Sequence, residues 1–432
     1  MLGAHNSFVL KGDIAFSEDL KNIKTIKDGY VVSLDGICMG AFDTLPKKYE
    51  ELEVIDYKGS LIVPGMVDLH AHAPQYLCSG IATDNELLDW LNKYIFPEEA
   101  KYSDLEYAKK SYQNFANDMK RGFTTRASIF GTMHTDATIL LMDLLEETGI
   151  VSYVGKVNMN RNSVDALTEN SEDESLEETR RWLQSIEGKY TRTFPILTPR
   201  FIPSCSDGLM KGLGELSKEK GLRIQSHLSE NVDEVKWVKE LVPESTSYAN
   251  AYELFNAIGE KTVPSIMAHC VYSDDEEIRI MKEHGTFIAH CADSNINLAS
   301  GIAPIRRFLN EGLKVGIGSD VAAGSTLNML RMILVTIQAS KMYYRLVDSS
   351  LEPLTFEEAF YLATLGGGEY FGKVGTFKEG YAFDAVVISD ENMAAKPDNV
   401  RQRLEKICYN DADAVILSKY VDGKNIFLRR ET

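Results

Sequence analysis

Between about Leu61 and Gly366 the sequence alternates short apolar runs, predicted as strands, with longer patterns typical of helices. The predicted strands are eight: IVPGMVDLHAH (62–72), TTRASIF (124–130), VSYVGKVNM (151–159), FPILTPRFIPS (194–204), LRIQSHLSE (222–230), VPSIMAHC (263–270), GTFIAHCADS (285–294) and KVGIGSD (314–320). Eight such units in about 300 residues predict an α/β fold, the TIM (β/α)8 barrel. A doubly wound open sheet is the alternative.

Helix boundaries are marked by short local signals. Ser273 with Glu276, and Thr355 with Glu358, match the S/T-x-x-E pattern of a capping box at a helix start. Gly285 follows the first of these helices and is predicted to end it.

The two ends of the chain have a different texture, with short strands and turns. Asp35-Gly36 and Asp422-Gly423 are each predicted to form the turn of a hairpin. Because domain termini often lie close together, both ends are expected to build one small β-sandwich domain. The predicted segments are 1–62 and 372–432 for this domain and 63–371 for a metal-dependent barrel hydrolase.

Charge and cysteine usage restrict the partners and the compartment. The formal net charge of −18 argues against nucleic-acid polymers and anionic membranes, which would repel the chain. No apolar run approaches the roughly 20 residues of a membrane span, and MLGAHNSFVL lacks the basic start of a signal peptide. Six cysteines without a C-x-x-C pair indicate reduced thiols, so a cytoplasmic protein is expected.

Histidines are few, only 8 in the chain, yet His70 and His72 stand two apart at the end of a predicted strand. Alternate side chains of a strand point to the same face, so the two imidazoles project together, as in half of a metal site. His227, His269 and Asp320 end the fifth, sixth and eighth predicted strands. At the carboxyl-end rim of a barrel these groups would converge, and they suit zinc or ferrous iron.

Further polar groups follow the same strand ends. Glu230, three residues beyond His227, and Asp320 are the carboxyl groups available to exchange protons with water and a leaving amine. Arg200 is predicted to donate to a substrate carbonyl, or alternatively to form a salt bridge at the rim, and Phe201 offers a stacking face. Barrel hydrolases with two metals often carry a bridging lysine at this strand end. Arg200 stands there instead, which favours one metal ion over two.

Other reactive residue types are predicted to have structural roles. Lys156 is expected to pack or to form an ion pair, and Cys270 and Cys291 to act as small apolar residues. His290 is a candidate for supporting a metal ligand. The segment ELLDWLNKYIFPEE (86–99) is predicted as a helix over the barrel mouth, either as a moving lid or as a fixed cover.

Several stretches together resemble the barrel-type guanine deaminases of the amidohydrolase superfamily. They include HAHAPQY, VGKVNMN, LTPRFIPSCS, IQSHLSEN, AHCVYSDDE, IAHCADSN, GIGSDVAAG and ATLGGGEYFG, between about residues 60 and 390. A departure is Ala292 in IAHCADSN, where relatives tend to carry proline, which concerns the loop shape. The resemblance implies one zinc ion per chain, with ferrous iron as the alternative, and a homodimer.

The same resemblance implies roles for individual residues. The implied metal ligands are His70, His72, His227 and Asp320. The implied substrate contacts are Gln75, Arg200, Phe201, His227 and Glu230. His269 is placed near the reacting carbon, so that Glu230, His269 and Asp320 form the expected catalytic set.

The expected reaction is the hydrolytic deamination of guanine to xanthine and ammonia. Asp320 would take the proton of the attacking water, Glu230 would protonate the ring and the departing amine, and Arg200 with Gln75 would read the polar edge of the base. An alternative is deamination or dechlorination of another aminated ring, such as a triazine or a pterin, because a fold does not determine its substrate. A non-catalytic scaffold barrel would be expected to have lost a ligand, and none is missing.

Overall fold

A computed structural model describes residues 7–410 and 414–429. The outermost residues of the predicted terminal segments, 1–6 and 430–432, and residues 411–413 lie outside this description. In the described ranges no helix combines the length and the apolar character needed to cross a lipid bilayer.

The strands, in chain order, have the following bounds: β1 Phe8–Ser17, β2 Ile23–Leu34, β3 Ile37–Phe42, β4 Val54–Pro64, β5 Met66–His72, β6 Thr124–Phe130, β7 Val151–Gly155, β8 Val157–Asn158, β9 Thr193–Pro195, β10 Thr198–Pro199, β11 Gln225–Leu228, β12 Gly259–Glu260, β13 Val263–Pro264, β14 Ile266–His269, β15 Phe287–His290, β16 Lys314–Ile317, β17 Ala385–Ser389, β18 Val415–Val421 and β19 Lys424–Leu428.

The α-helices have the following bounds: α1 Leu87–Trp90, α2 Phe96–Glu99, α3 Leu105–Arg121, α4 Thr135–Thr148, α5 Glu172–Ile186, α6 Asp207–Lys220, α7 Val232–Leu241, α8 Tyr248–Leu254, α9 Asp275–His284, α10 Ala292–Asn297, α11 Ile305–Asn310, α12 Met329–Leu346, α13 Phe356–Tyr361 and α14 Val400–Tyr409. A π-helical stretch, Leu91–Ile95, joins α1 to α2, so 87–99 is one continuous helical segment.

Both chain ends build one seven-stranded sheet, in the order β19-β18-β17-β4-β1-β2-β3. Asp35 (φ 48°) with Gly36 (φ 83°), and Asp422 (φ 47°) with Gly423 (φ 71°), turn β2 into β3 and β18 into β19. Positive φ at both central residues is the two-residue turn that matches strand twist, so the predicted hairpins are confirmed.

The central strands are parallel and are separated by helices. They form two four-stranded sheets, β5-β6-β7-β9 and β11-β14-β15-β16, and a short β10-β8 pair. Backbone bonds from Leu197 N to Arg223 O (2.9 Å) and from Gln225 N to Leu197 O (2.9 Å) link the two sheets on one side. On the other side, Asp320 N donates to His70 O at 2.7 Å. The predicted α/β class is confirmed.

Most predicted strands are longer than the observed ones. The prediction for 124–130 matches β6, but the run 194–204 contains only β9 and β10 and continues into a 3-10 turn at Ile202–Ser204. The run 285–294 ends as a strand at His290, and α10 begins at Ala292. The prolines in the run 194–204 explain why strand pairing stops there. In the run 285–294, the polar sequence DSN explains why the strand does not continue.

Helix boundaries follow two of the three predicted signals. The Thr355–Glu358 capping box is present at α13, and Gly285 ends α9 in the left-handed conformation at φ 71°. The predicted box at Ser273 is wrong, because Asp274 caps α9 by accepting from Glu277 N. Ser273 and Asp274 are both residue types that cap helices, so the sequence alone does not determine which of the two is the N-cap.

Candidate active site

Strand β5 supplies the first two donors. His70 and His72 are 0% and 3% exposed, and their Nε2 atoms lie 3.1 Å apart. The strand end is held by two backbone bonds to the segment after β16: His72 N donates to Val321 O, and Asp320 N donates to His70 O. The first and last central strands therefore hold the two imidazoles and Asp320 in one place.

His227 at the end of β11 and Asp320 after β16 complete the group. His227 Nε2 lies 3.2 Å from His72 Nε2. Asp320 Oδ1 lies 3.2 Å from His70 Nε2 and 3.3 Å from His72 Nε2. Asp320 is in the left-handed region at φ 48°, a conformation that is uncommon for non-glycine residues.

The spacing of these donors suits metal ligation. His70, His72 and Asp320 lie pairwise 3.1 to 3.3 Å apart, and His227 lies 3.2 Å from His72. These four separations are close to the edge of roughly 3.3 Å in a tetrahedron of ligands about 2.0–2.1 Å from zinc. Imidazole lone pairs that face each other at such distances repel unless a proton or a cation lies between them. The donor set suits zinc or ferrous iron.

The imidazoles are in the neutral form that ligates metals. Burial lowers the pKa of His72 to about 4, and it lowers the pKa values of His70 and, further, of His227. His227 Nδ1 lies 2.6 Å from Arg200 O, to which it donates, so Nε2 carries the lone pair that points toward the other donors. Burial alone would raise the pKa of Asp320, but His70 and His72 hold it well below the usual range.

A small cavity opens beside the four donors. Every predicted site residue except His70 lines it, together with apolar side chains from the 87–99 segment and from two loops. The lining residues are His72, Gln75, Leu87, Trp90, Leu91, Arg200, Phe201, His227, Glu230, His269, Leu298, Asp320 and Ala323.

Glu230 and His269 lie next to each other in the lining of this cavity. Glu230 Oε2 lies 3.4 Å from His269 Nε2, and Ser300 Oγ donates to Glu230 Oε1 at 3.3 Å. Burial first, and then the Asp320 carboxylate, raise the pKa of Glu230 well above its usual range. His269 Nδ1 lies 2.9 Å from Asn295 Oδ1, so both ring nitrogens face oxygen atoms. The pair can hold and move a proton beside the four donors.

Glu99, at the end of α2, was not identified from the sequence. Its buried carboxylate accepts from Gln75 Nε2 and from Arg200 Nη1, each at 2.8 Å. The ring of Phe96 lies 5.0 Å from the Arg200 guanidinium carbon. The only sequence signal is the acidic pair Glu98-Glu99 at the end of an apolar segment, which does not say which of the two turns inward.

The remaining candidates are structural. Lys156 forms a buried ion pair with Glu169 at 2.6 Å, which confirms the predicted role. Burial raises the pKa of the Cys270 and Cys291 thiols well above the usual range, as expected of apolar residues, although Cys291 Sγ lies close to His70, His269 and Asp320. His290 is buried, and within the described residues its Nδ1 has no hydrogen-bond partner.

Comparisons with known proteins give matches over most of the chain. The model of the amidohydrolase family matches residues 61–426. The guanine deaminase of Dictyostelium discoideum is 40% identical over 387 residues, which cover 87% of this chain and 85% of that protein. The human guanine deaminase is 37% identical over 378 residues, which cover 84% of this chain and 82% of that protein.

The fold also matches that of a solved structure. The crystal structure of guanine deaminase from C. acetobutylicum, with guanine bound in its active site, superposes with a TM-score of 0.94 at 44% sequence identity. The match covers 98% of this chain and all of the other.

Proposed function

The chain belongs to the amidohydrolase family, within the guanine deaminases, and we propose that it catalyses the hydrolytic deamination of guanine to xanthine and ammonia. The observation that carries this proposal is one cavity, beside the buried His70, that brings three further metal-competent donors together with the polar and aromatic candidates. These residues are His72, His227, Asp320, Glu230, Gln75, Arg200 and Phe201. Sequence and structural similarity to guanine deaminases, one of them with guanine bound, supports the same substrate.

His70, His72, His227 and Asp320 are the proposed ligands of one zinc ion per chain, with ferrous iron as the alternative. Such an ion, when bound, acidifies water so that it can act as a nucleophile near neutral pH. The burial of these side chains and the separations of 3.1 to 3.3 Å that link them support this assignment.

The chain's own groups perform the proton transfers. Asp320 takes the proton of the water that attacks the amino-bearing carbon of the base. Glu230, whose pKa burial raises, gives its proton to the adjacent ring nitrogen. The proton that Asp320 took from water then passes, with the help of Glu230, to the amino group, which leaves as ammonia. The second water proton returns to Glu230 as the carbonyl of xanthine forms. His269, held by the contact of its Nδ1 with Asn295 Oδ1, stabilises the charge that develops on the attacking oxygen. Arg200 and Gln75 bind the polar edge of the base, and Phe201 stacks on it.

The proposed fold is a closed (β/α)8 barrel over 63–371 with a small β-sandwich domain from 1–62 and 372–432. The parallel central strands, linked at both sides of their two sheets, support the barrel. The shared seven-stranded sheet supports a domain from both chain ends, and the sandwich arrangement remains a proposal. The six cysteines are buried, and no disulfide joins them in the described residues. The cytoplasmic location stays a prediction. A homodimer stays a prediction.

The first test is conversion of guanine to xanthine by the purified protein. We expect turnover that disappears on chelation and returns with zinc. Adenine, which has an amino group where guanine has its carbonyl, should react with a kcat/KM lower by about 10⁴ or more, because buried donors would be left unpaired. Fully metal-loaded protein that forms no xanthine would refute the proposed function and would favour another aminated ring.

A further inference from the structure

Glu99 is a buried carboxylate that contacts two proposed substrate-binding side chains at once. It is 2% exposed, and it accepts one hydrogen bond from Gln75 Nε2 and one from Arg200 Nη1. Gln75 is 24 residues from Glu99 along the chain, and Arg200 is 101 residues away. One side chain therefore joins two otherwise separate parts of the cavity wall.

The carboxylate determines which end of the Gln75 amide faces the cavity. An amide can present either its oxygen or its NH₂ group, but a carboxylate can only accept. Gln75 must therefore turn its NH₂ group toward Glu99, as observed, and this leaves Oε1 free as an acceptor. The opposite orientation would place two oxygen atoms against each other in a buried site.

The same carboxylate fixes the Arg200 guanidinium. The ion pair at 2.8 Å is almost fully buried, with side-chain exposures of 4% for Arg200 and 2% for Glu99. Phe96, on the same helix as Glu99, places its ring 5.0 Å from the guanidinium carbon and restricts the plane of the group. The guanidinium retains further N–H donors for a ligand.

We propose that Glu99 is a positioning residue that sets the base selectivity of the site by holding Gln75 as an acceptor beside Arg200 as a donor. This inference rests on the proposed function. Guanine presents a ring carbonyl, which accepts, next to a ring N–H, which donates, and this pattern complements the fixed pair. 2,6-Diaminopurine presents an amino group and an unprotonated ring nitrogen there, so its pattern is reversed.

The test is the ratio of kcat/KM for guanine to kcat/KM for 2,6-diaminopurine, measured as ammonia release by the metal-loaded enzyme and its E99Q variant. In E99Q the amide oxygen can accept from only one of Gln75 and Arg200, and the NH₂ group turns toward the other. The Gln75 amide is then no longer held in one orientation. We expect the ratio to fall by roughly tenfold or more while the metal content is unchanged. General damage to the site would instead lower both activities in proportion.

Glu98 offers a matched control on the same helix. Its carboxylate accepts from Lys101 Nζ at 2.6 Å and from the Tyr107 hydroxyl, away from the cavity lining. E98Q should keep the selectivity ratio of the unaltered enzyme. If E99Q does not fold, E99D provides a second variant, because its shorter carboxylate keeps the charge but cannot reach both partners, and the ratio should again fall.

The two proposals fail in different ways. An unaltered, metal-loaded enzyme that releases no ammonia from guanine would refute the proposed function and the inference that depends on it. Guanine turnover with the same ratio in E99Q as in the unaltered enzyme would refute the selectivity role alone. An equal loss of both activities would overturn it as well, since it would show that Glu99 only stabilises the site.

Discussion

Glu230 combines burial with a position in the lining of the candidate active-site cavity. Its side chain is 5% exposed, and its Oε2 lies 3.4 Å from His269 Nε2. Burial and the nearby Asp320 carboxylate both disfavour its ionised form and raise its pKa well above the usual range. A protonated carboxyl group at this place is suited to act as a general acid.

Changing Glu230 to Gln should remove this proton transfer and keep the shape of the site. We expect guanine turnover to fall by about 10²–10⁴, with unchanged metal content and thermal stability. The comparison variant is E240Q, the same change at an exposed position near the end of α7, which should behave like the unaltered enzyme. An E230Q variant that remained active would show that another group supplies the proton.

The helical segment 87–99 covers the cavity with one face and meets solvent with the other. Leu87, Trp90 and Leu91 line the cavity, and Trp90 is 1% exposed, with its Nε1 donating to Ile81 O at 3.1 Å. Tyr94, one turn further on, is 40% exposed. The segment therefore carries part of the apolar wall of the site and is packed onto it.

Replacing Trp90 with Ala should leave a void between this segment and the cavity. We expect a loss of about 3–5 kcal/mol in the free energy of unfolding and a raised KM for guanine. Y94A on the exposed face should change stability by no more than about 0.5 kcal/mol. Urea denaturation and steady-state kinetics on both variants provide the measurement, and similar losses in the two would contradict the packing described here.

The terminal sheet is joined to the central strands by a buried charge cluster. Arg126 on β6 donates to both Asp384 oxygens, at 2.7 and 3.0 Å, and to Asp422 at 2.6 Å. Asp384 is fully buried, whereas the Asp422 side chain is 38% exposed. One guanidinium thus contacts one carboxylate shielded from water and one that is partly solvated.

These two carboxylates should contribute differently to the stability of the whole molecule. D384N removes the fully buried carboxylate and leaves Arg126 with the partly solvated Asp422 as its remaining charged partner, so we expect the free energy of unfolding to fall by about 3–5 kcal/mol. D422N should cost at most about 1 kcal/mol, because water solvates that side of the pair. Equal losses of unfolding free energy for D384N and D422N, measured by urea denaturation, would mean that burial does not determine how much each carboxylate contributes.

Local patterns in the sequence were sufficient to predict the main secondary-structure elements and the grouping of the histidines with Asp320. Alternating apolar runs predicted the parallel α/β core, the Asp-Gly pairs predicted two hairpins, and Thr355 with Glu358 predicted a helix start. The histidines and Asp320 could be placed together because the carboxyl ends of parallel strands meet at one rim. All of these depend on neighbours in sequence or on a rule of topology.

Contacts between distant side chains depended on the tertiary structure. Glu99 reaches Gln75 and Arg200 only because the 87–99 segment lies over the strand ends, and Asn295 meets His269 only through the turn of α10. Which of Glu98 and Glu99 turns inward follows from the rotation of a helix against the cavity. The spacing of residues in the sequence encodes the local preference for strand, helix or turn. Contacts between residues far apart in the chain form only when packing of the sheets and helices brings them within hydrogen-bond distance.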